Sequence, residues 1–379
     1  MGHAAGARLR GNRLPVRVYR DRVHRLSRTT ARRTRLGDTG APLSLAAGAT
    51  LPLMPPATVS SGSTAHICIF SAPRSGSTWL AKLFDSHPDV LYLHEPELFN
   101  RGLDFLPYWL NGSPDEIYIA AARDYFYRLI GLRSSRVIGR TPFFRKNYRS
   151  TSSELVRQGL IGAVKLLESL GLERATRNFA IPDFRDPDKL IVPVVKSVSA
   201  LGRARILIEA MGDELRPILL IRHPCAVVAS IRRGVALGVM GPQSELGQLL
   251  ETGSAKGLGI DPHSFTTSDE VDLIAWNWLL ANAEAYQAVK TTGGTMVIYE
   301  SLVSGGADAA AKLFTQVGLR WTDETARFLK DSRSRNGGYY SVYRDPSQAI
   351  NGWKLELDSA IVARIRKISL QHPVGQLFF

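Results

Sequence analysis

The feature that most constrains this chain is a break in pattern between residues 66 and 85. An apolar run, Ile67-Cys68-Ile69-Phe70, reads as a buried strand and stops at Ser71-Ala72-Pro73-Arg74-Ser75-Gly76-Ser77-Thr78. From Trp79 the spacing is helical, with Trp79, Leu80, Leu83 and Phe84 on one face. A strand that turns through small residues into a helix makes an anion site. The first-turn N–H groups have no intrahelical partners, and the helix dipole favours negative charge there. Ser75, Ser77 and Thr78 add hydroxyl donors, Gly76 lets a phosphate approach the backbone, and Arg74 adds a fixed cation.

A triphosphate loop of the G-x-x-x-x-G-K-[ST] kind sets a Lys on the phosphates and a hydroxyl on Mg²⁺. Here no Lys precedes Ser77 or Thr78, and Pro73-Arg74 replaces the early glycine. The loop suits a nucleotide whose chemistry does not use a metal-bridged β/γ pair, and the sequence offers no His/Asp/Glu cluster for a metal. Pro73-Arg-Ser-Gly-Ser-Thr-Trp-Leu80 resembles the 5′-phosphosulfate loop of sulfotransferases. These enzymes use 3′-phosphoadenosine 5′-phosphosulfate (PAPS) and release 3′-phosphoadenosine 5′-phosphate (PAP). The continuation from Leu83 to Glu97, LFDSHPDVLYLHEPE, is similar to the carbohydrate branch of that superfamily. A generic strand–turn–helix with a polar turn would share the first half of this pattern.

A second constellation lowers the weight of that plainer reading. Ile218-Leu-Leu-Ile ends in Arg222, then His223-Pro224 turns the chain into a helix that carries Ser230. A buried strand thus delivers Arg222 at its carboxyl end, where ligands bind in open α/β sheets. Arg at the strand end with Ser eight residues on resembles the family's 3′-phosphate site, where the guanidinium grips phosphate and the hydroxyl adds a hydrogen bond. A strand-end Arg in a salt bridge would look the same.

Weaker matches extend the resemblance over most of residues 66–370. Lys196 ends a middle strand, where the family often has a Lys facing the sulfuryl group; a snorkelling surface Lys is the plainer reading. Tyr299-Glu300-Ser-Leu302 resembles the Y-E-D-L after the family's last strand, with Glu300 as a structural anchor. Gly352-Trp353-Lys354 is similar to the G-x-W-K segment that covers the nucleotide, which makes Trp353 and Lys354 cofactor candidates. The Arg-Lys-Gly group upstream of it in cytosolic members is missing, and Arg344 is the candidate substitute. Trp79 matches a position that stacks on adenine, although a core Trp fits equally.

The resemblance implies an in-line displacement that needs a base for the acceptor proton. Glu95, after the second strand, corresponds to a Glu near the reacting centre in the carbohydrate and protein-tyrosine branches. His94 is the alternative, because cytosolic members use His. Neighbours in an extended segment point to opposite faces, and Pro96 biases Glu95 toward that conformation, so only one of the two should face the sulfur. A desolvated carboxylate there would have a raised pKa suited to the work. Arg74 and Lys196 would hold the developing charge.

Strand and helix patterns alternate from about residue 65, which predicts an α/β, P-loop-type, mainly parallel central sheet of about five strands with helices on both faces. Strands are expected at Ile67–Ser71, Val90–His94, Leu190–Lys196, Pro217–Arg222 and Thr295–Tyr299. Expected helices are Ser77–Asp85, Leu201–Ala210, Cys225–Arg233, Glu270–Lys290, Ala307–Gln316, Thr322–Leu329 and Ser359–Ile368. Residues 65–379 would form one sulfotransferase domain. Phe99 to Asp188 reads as helices and loops covering the site, and 236–267, with six glycines, as a long surface loop acting as a lid.

The net charge of +14 is uneven: residues 1–40 hold eleven Arg, no Lys and two Asp, so the body carries only +5. Basicity is a tail property, and no nucleic acid is expected on the body. Segment 1–40 reads as a disordered arm, with a targeting peptide or a true start at Met54 as alternatives. Residues 41–64 read as a linker with four prolines. Leu43 to Met54 is too short and too broken by Pro52 to span a bilayer, so a soluble, cytoplasmic enzyme is expected. Cys68 and Cys225 fit a reducing compartment and buried free thiols.

The expected function is sulfuryl transfer from PAPS to a hydroxyl of a saccharide or glycoconjugate. A small alcohol, a phenol or a peptide tyrosine would present the same group. A P-loop kinase-like phosphotransferase is the alternative from another class, disfavoured by the missing Walker lysine.

Overall fold

Alternation along the first strand divides the interior in two. In β1 (His66–Ser71), Ile67 and Ile69 face one apolar cluster while Cys68 and Phe70 face the other, and all four are buried. A strand buried on both faces needs helices on both. The computed structural model describes residues 65–99, 106, 116–139, 141–176, 179–240, 246–260, 269–334, 337, 341–343 and 345–379. The segments 1–40 and 41–64, with Met54, lie outside the described residues.

β1 is the centre of a five-stranded sheet with β2 (Val90–His94), β3 (Val192–Ser197), β4 (Leu215–Ile221) and β5 (Thr295–Ile298), in the order β2-β3-β1-β4-β5. Every neighbouring pair is parallel, and Ile69 stands opposite Lys196 on one side and Ile218 on the other. The chain visits β2 and β3 on one side of β1, then crosses to β4 and β5 on the other. That reversal is where open parallel sheets bind ligands, at the carboxyl ends of the strands.

The longer helices are α1 (Ser77–Asp85), α2 (Glu116–Ile130), α3 (Thr151–Ser169), α4 (Ala204–Met211), α5 (Pro224–Ala236), α6 (Glu270–Thr292), α7 (Tyr299–Gln316), α8 (Asp323–Arg333), α9 (Pro346–Asn351) and α10 (Ser359–Ser369). Leu80, Leu83 and Phe84 of α1, with Phe314 of α7 and Phe328 of α8, cover one face; Phe84 stacks on Phe314 at 4.5 Å. Phe126, Leu207, Val228, Trp278 and Ile365, from α2, α4, α5, α6 and α10, cover the other. The architecture is the predicted α/β one, and every strand pairing among the described residues is parallel.

Four expectations needed correction. The strand expected from Leu190 starts at Val192, and the one expected to reach Tyr299 stops at Ile298, because Tyr299 opens α7. The helix expected from Ala307 is the second part of α7, which kinks at Gly306 (φ 59°, ψ −132°). The glycine pair 305–306 masks the first turns in the sequence. Within 236–267 the chain forms helical turns at Leu246–Leu249 and Gly253–Gly257. Leu249 and Ala255 are buried in the core that includes α6, and Ser254 N–H donates to Glu284 Oε1 at 2.7 Å. Residues 241–245 and 261–267 of that expected lid lie outside the described residues.

Cys68 and Cys225 are buried free thiols, and burial pushes both upward, Cys225 to about 12. Among the described residues no helix is long and apolar enough to cross a membrane.

Candidate active site

The carboxyl ends of the strands open on one cavity of about 410 Å³. The loop after β1 supplies Pro73, Arg74, Gly76, Ser77, Thr78 and Trp79; β2 leads to His94 and Glu95, β3 to Lys196, β4 to Arg222 and β5 to Tyr299.

The loop is tightly specified. Arg74 has φ 68° and Gly76 φ 87°, both in the left-handed region. At Gly76 a Cβ would stand 2.3 Å from the Tyr299 ring, so glycine is demanded twice, by the backbone and by its neighbour. Gly76 also begins α1 without a side-chain cap, so the first-turn N–H groups open onto the cavity that Ser77 and Thr78 line. Ser75 sits behind the loop: its buried Oγ has no partner and it does not line the cavity.

The two predicted constellations meet at Arg74. Its Nε donates to Ser230 Oγ at 3.0 Å, reaching from the loop to α5. Ser230 is buried beneath the loop and does not line the cavity. Arg222 donates to Arg74 O at 3.0 Å and to Ala349 O at 2.5 Å, with its guanidinium 4.9 Å from the Tyr299 ring centre. Glu300 is the anchor expected of it: Oε1 accepts from His223 N–H at 3.1 Å and lies 4.0 Å from Arg222 Nε. Burial raises the Glu300 pKa against the opposing effect of these donors.

The opposite wall carries the base candidates. Lys196 is only 2% exposed and forms an ion pair with Glu95, so it does not snorkel to solvent. Glu95 departs from expectation. It has φ 45°, although Pro96 favours an extended residue before it. Its N–H donates to Lys196 O at 2.8 Å, extending the β2–β3 pairing one residue, and its carbonyl accepts from Leu98 N–H at 3.1 Å in the turn that follows. Serving both partners forces the left-handed twist. His94 and Glu95 consequently both line the cavity, where plain alternation would have separated them. His94 Nε2 lies 4.0 Å from Glu95 Oε1.

Tyr92 sets the imidazole. Its hydroxyl lies 2.7 Å from His94 Nδ1. Burial, then the Asp85 and Glu95 charges, pushes the Tyr92 pKa well up, so the phenol keeps its proton. Where that hydroxyl donates to Nδ1, a neutral His94 carries its proton on Nε2, on the Glu95 side.

Trp79 lines the cavity, edge-on to Tyr299 at 6.0 Å, with Nε1 donating to Ser332 Oγ at 3.0 Å. Trp353 and Lys354 do not line it. The Trp353 ring stacks on His223 at 4.7 Å and packs into the core behind the β4 turn, and Lys354 is exposed. Pro346 and Ala349 of α9, with Ser341 and Val342, form that wall instead. Arg344 lies outside the described residues, while Arg333, which sequence reasoning passed over, lines the cavity and donates to Val303 O at 2.7 Å.

Other residues were missed as well. Lys82 lines the cavity although the sequence places it on an ordinary helix turn beside Asp85. Glu97 is bonded to Ser197 Oγ, which accepts from Ala200 N–H at 2.9 Å and shapes the loop after β3. Burial raises the Glu97 pKa, with the Ser197 bond opposing. The repeated acid in Glu95-Pro96-Glu97 was the available signal.

No family model matches this chain. It is 23% identical to carbohydrate sulfotransferase 1 of Rattus norvegicus over 351 residues, covering 82% of this chain and 78% of that protein. That similarity, spread over most of both chains, supports the sulfotransferase superfamily. Among solved structures, the sulfotransferase domain of the Synechococcus PCC 7002 olefin synthase matches at 17% identity, 83% and 94% coverage of this chain and that one, and TM-score 0.43. The sulfotransferase domain of the curacin biosynthetic pathway matches at 16% identity, 81% and 96% coverage, and TM-score 0.40.

A sulfotransferase nucleotide asks for an anion cradle and a grip on a second phosphate. Two observations fit: Gly76 has no room for a side chain, and Arg222 Nε is buried with no hydrogen-bond partner at the cavity edge.

Proposed function

We propose that this chain transfers a sulfuryl group from PAPS to a hydroxyl of a carbohydrate acceptor. The observation that carries the reading is the Arg74–Ser230 bond. It ties the anion loop to α5, the helix that follows Arg222, beside a cavity whose far wall holds Glu95, Lys196 and His94. The name of the rat relative supports a carbohydrate acceptor.

PAPS would supply an activated sulfuryl group on a phosphate leaving group. The loop N–H groups, Ser77, Thr78 and Arg74 hold the 5′ anion, and Arg222 holds the 3′-phosphate. Lys196 pairs with Glu95 and stabilises negative charge at the leaving oxygen. Glu95 accepts the acceptor proton at a carboxylate oxygen, while His94 offers Nε2–H to orient the acceptor.

The test is transfer of label from ³⁵S-labelled PAPS to a panel of saccharides, small alcohols, phenols and tyrosine peptides. Label should appear on a saccharide. Glu95→Gln should keep PAPS binding and lose roughly 10²–10⁴-fold in kcat. Normal turnover by Glu95→Gln would remove it as base. Label on phenol or tyrosine alone would replace the acceptor class, and no transfer to any hydroxyl would reject the function.

A further inference from the structure

Behind the cavity wall lies a buried layer whose charges do not balance. Lys82 and Asp85 of α1, Lys146 and Arg149 of the following loop region, and Glu154 and Arg157 of α3 form it. Their side chains are between 1% and 12% exposed. Asp85 Oδ2 pairs with Lys82 at 2.7 Å and Oδ1 with Lys146 at 3.0 Å. Glu154 Oε2 pairs with Arg149 at 3.1 Å and Oε1 with Arg157 at 3.0 Å. Four cations share two carboxylates, and all four carboxylate oxygens are committed. Two buried positive charges are left over, which is costly unless something neutralises them.

The layer encloses a second, small cavity of about 20 Å³, lined by Asp85, Lys146, Arg149 and Arg157 with Phe143 and Phe144 among its walls. That is room for a single water-sized particle. Arg149 Nε is buried and has no hydrogen-bond partner, although the side chain is only 6% exposed. Lys146 contributes charge alone, because its ammonium already serves Asp85 O, His87 O and Asp85 Oδ1. Tyr148 is no alternative donor, since its hydroxyl donates to Val90 O at 2.9 Å. Burial, then the Arg149 guanidinium, holds Arg157 below the ordinary arginine range, so the crowding of cations is felt. A water would satisfy Arg149 Nε without touching the charge excess. An anion does both.

We propose that a small monovalent anion of chloride size binds between Lys146, Arg149 and Arg157, hydrogen-bonded to Arg149 Nε, and offsets one of the two excess charges of the buried layer. The site is distinct from the nucleotide cavity and does not rest on the proposed function. It touches that cavity through Lys82, which belongs to both the layer and the cavity lining. Anion occupancy therefore stiffens one wall of the active site.

The experiment follows thermal unfolding of the full chain while chloride replaces gluconate at constant ionic strength, with a parallel sulfate series. A saturable rise in Tm of a few degrees is expected for chloride and not for sulfate, which is too large for the cavity. Arg149→Met should abolish the chloride response and be no less stable than wild type in gluconate. Arg205→Met, at an exposed pair with Glu209, should keep the response. Crystals grown in bromide should show an anomalous peak beside Arg149 Nε, which decides the matter if Arg149→Met does not fold. Equal Tm in chloride and gluconate, an equal response to sulfate, or no bromide peak would overturn the proposal.

Discussion

Gly76→Ala probes the proposed nucleotide cradle at its tightest point. The variant meets two penalties. At φ 87° an alanine is in the left-handed region, which costs about 1–2 kcal/mol. Its Cβ would also lie 2.3 and 2.6 Å from two Tyr299 ring carbons, well inside an ordinary contact of 3.4 Å. Tyr299 is not free to retreat, because Arg222 lies over its ring and Trp79 meets its edge. Overpacking of this kind costs about 1–3 kcal/mol, so the total is about 2–5 kcal/mol. If the loop yields, PAP affinity should fall by about 30-fold or more. Calorimetric titration of PAP, beside thermal unfolding, measures how the cost divides between binding and stability. Gly76→Ala combined with Tyr299→Leu should relieve the clash and keep only the backbone penalty, giving a non-additive double-mutant cycle. Wild-type PAP affinity in Gly76→Ala, or strict additivity in the cycle, would refute the reasoning.

Arg222→Ala should weaken PAPS by about 1.5–3 kcal/mol and adenosine 5′-phosphosulfate, which lacks the 3′-phosphate, far less; equal losses in competition binding would reject the assignment. Stability should fall as pH drops from about 6.5 toward 4, because burial, then Lys354 and Arg222, lowers the His223 pKa to about 4. In that window the unfolded chain binds the proton and the folded chain does not, so stability rises with pH. His223 Nδ1 accepts from Cys225 N–H at 3.2 Å at the start of α5, and protonation would break that cap; chemical denaturation of His223→Gln should show a shallower pH slope. Hydrogen exchange should find Leu249 and Ala255 protected in the free chain, since both are buried; loop-like exchange there would restore them to a lid.

The parts legible in the sequence are those set by local period. The bounds of α1 match expectation residue for residue, because a four-residue apolar strand, a small-residue turn and a helical stripe follow one another without interruption. Arg222 and Ser230 were placed by the same logic. What the sequence hid depends on distant partners. The φ of 45° at Glu95 arises from pairing with Lys196, a hundred residues downstream, and it overrides the local bias of Pro96. The two readings of Lys196, a lysine facing the sulfuryl group or a strand-end surface lysine, could not be separated because its counter-charge is equally remote. Trp353 was misplaced because a tryptophan beside the site and one packed behind it on His223 read alike. In 246–260, Leu246, Leu249 and Ala255 were the buried side of short turns, but the surrounding glycines dominated the pattern. The charge excess around Arg149 was invisible because its members come from separate segments.

The central claim is that the cavity reads a 3′-phosphorylated adenine nucleotide without help from a metal. Calorimetric titration of the full chain with PAP, AMP and ATP·Mg²⁺, with EDTA present in the first two, tests it most directly. PAP should bind about ten- to a hundred-fold more tightly than AMP, the worth of one charge-assisted phosphate grip, and EDTA should not weaken it. Equal affinity for PAP and AMP, or tighter binding of ATP·Mg²⁺ than of PAP, would contradict the account.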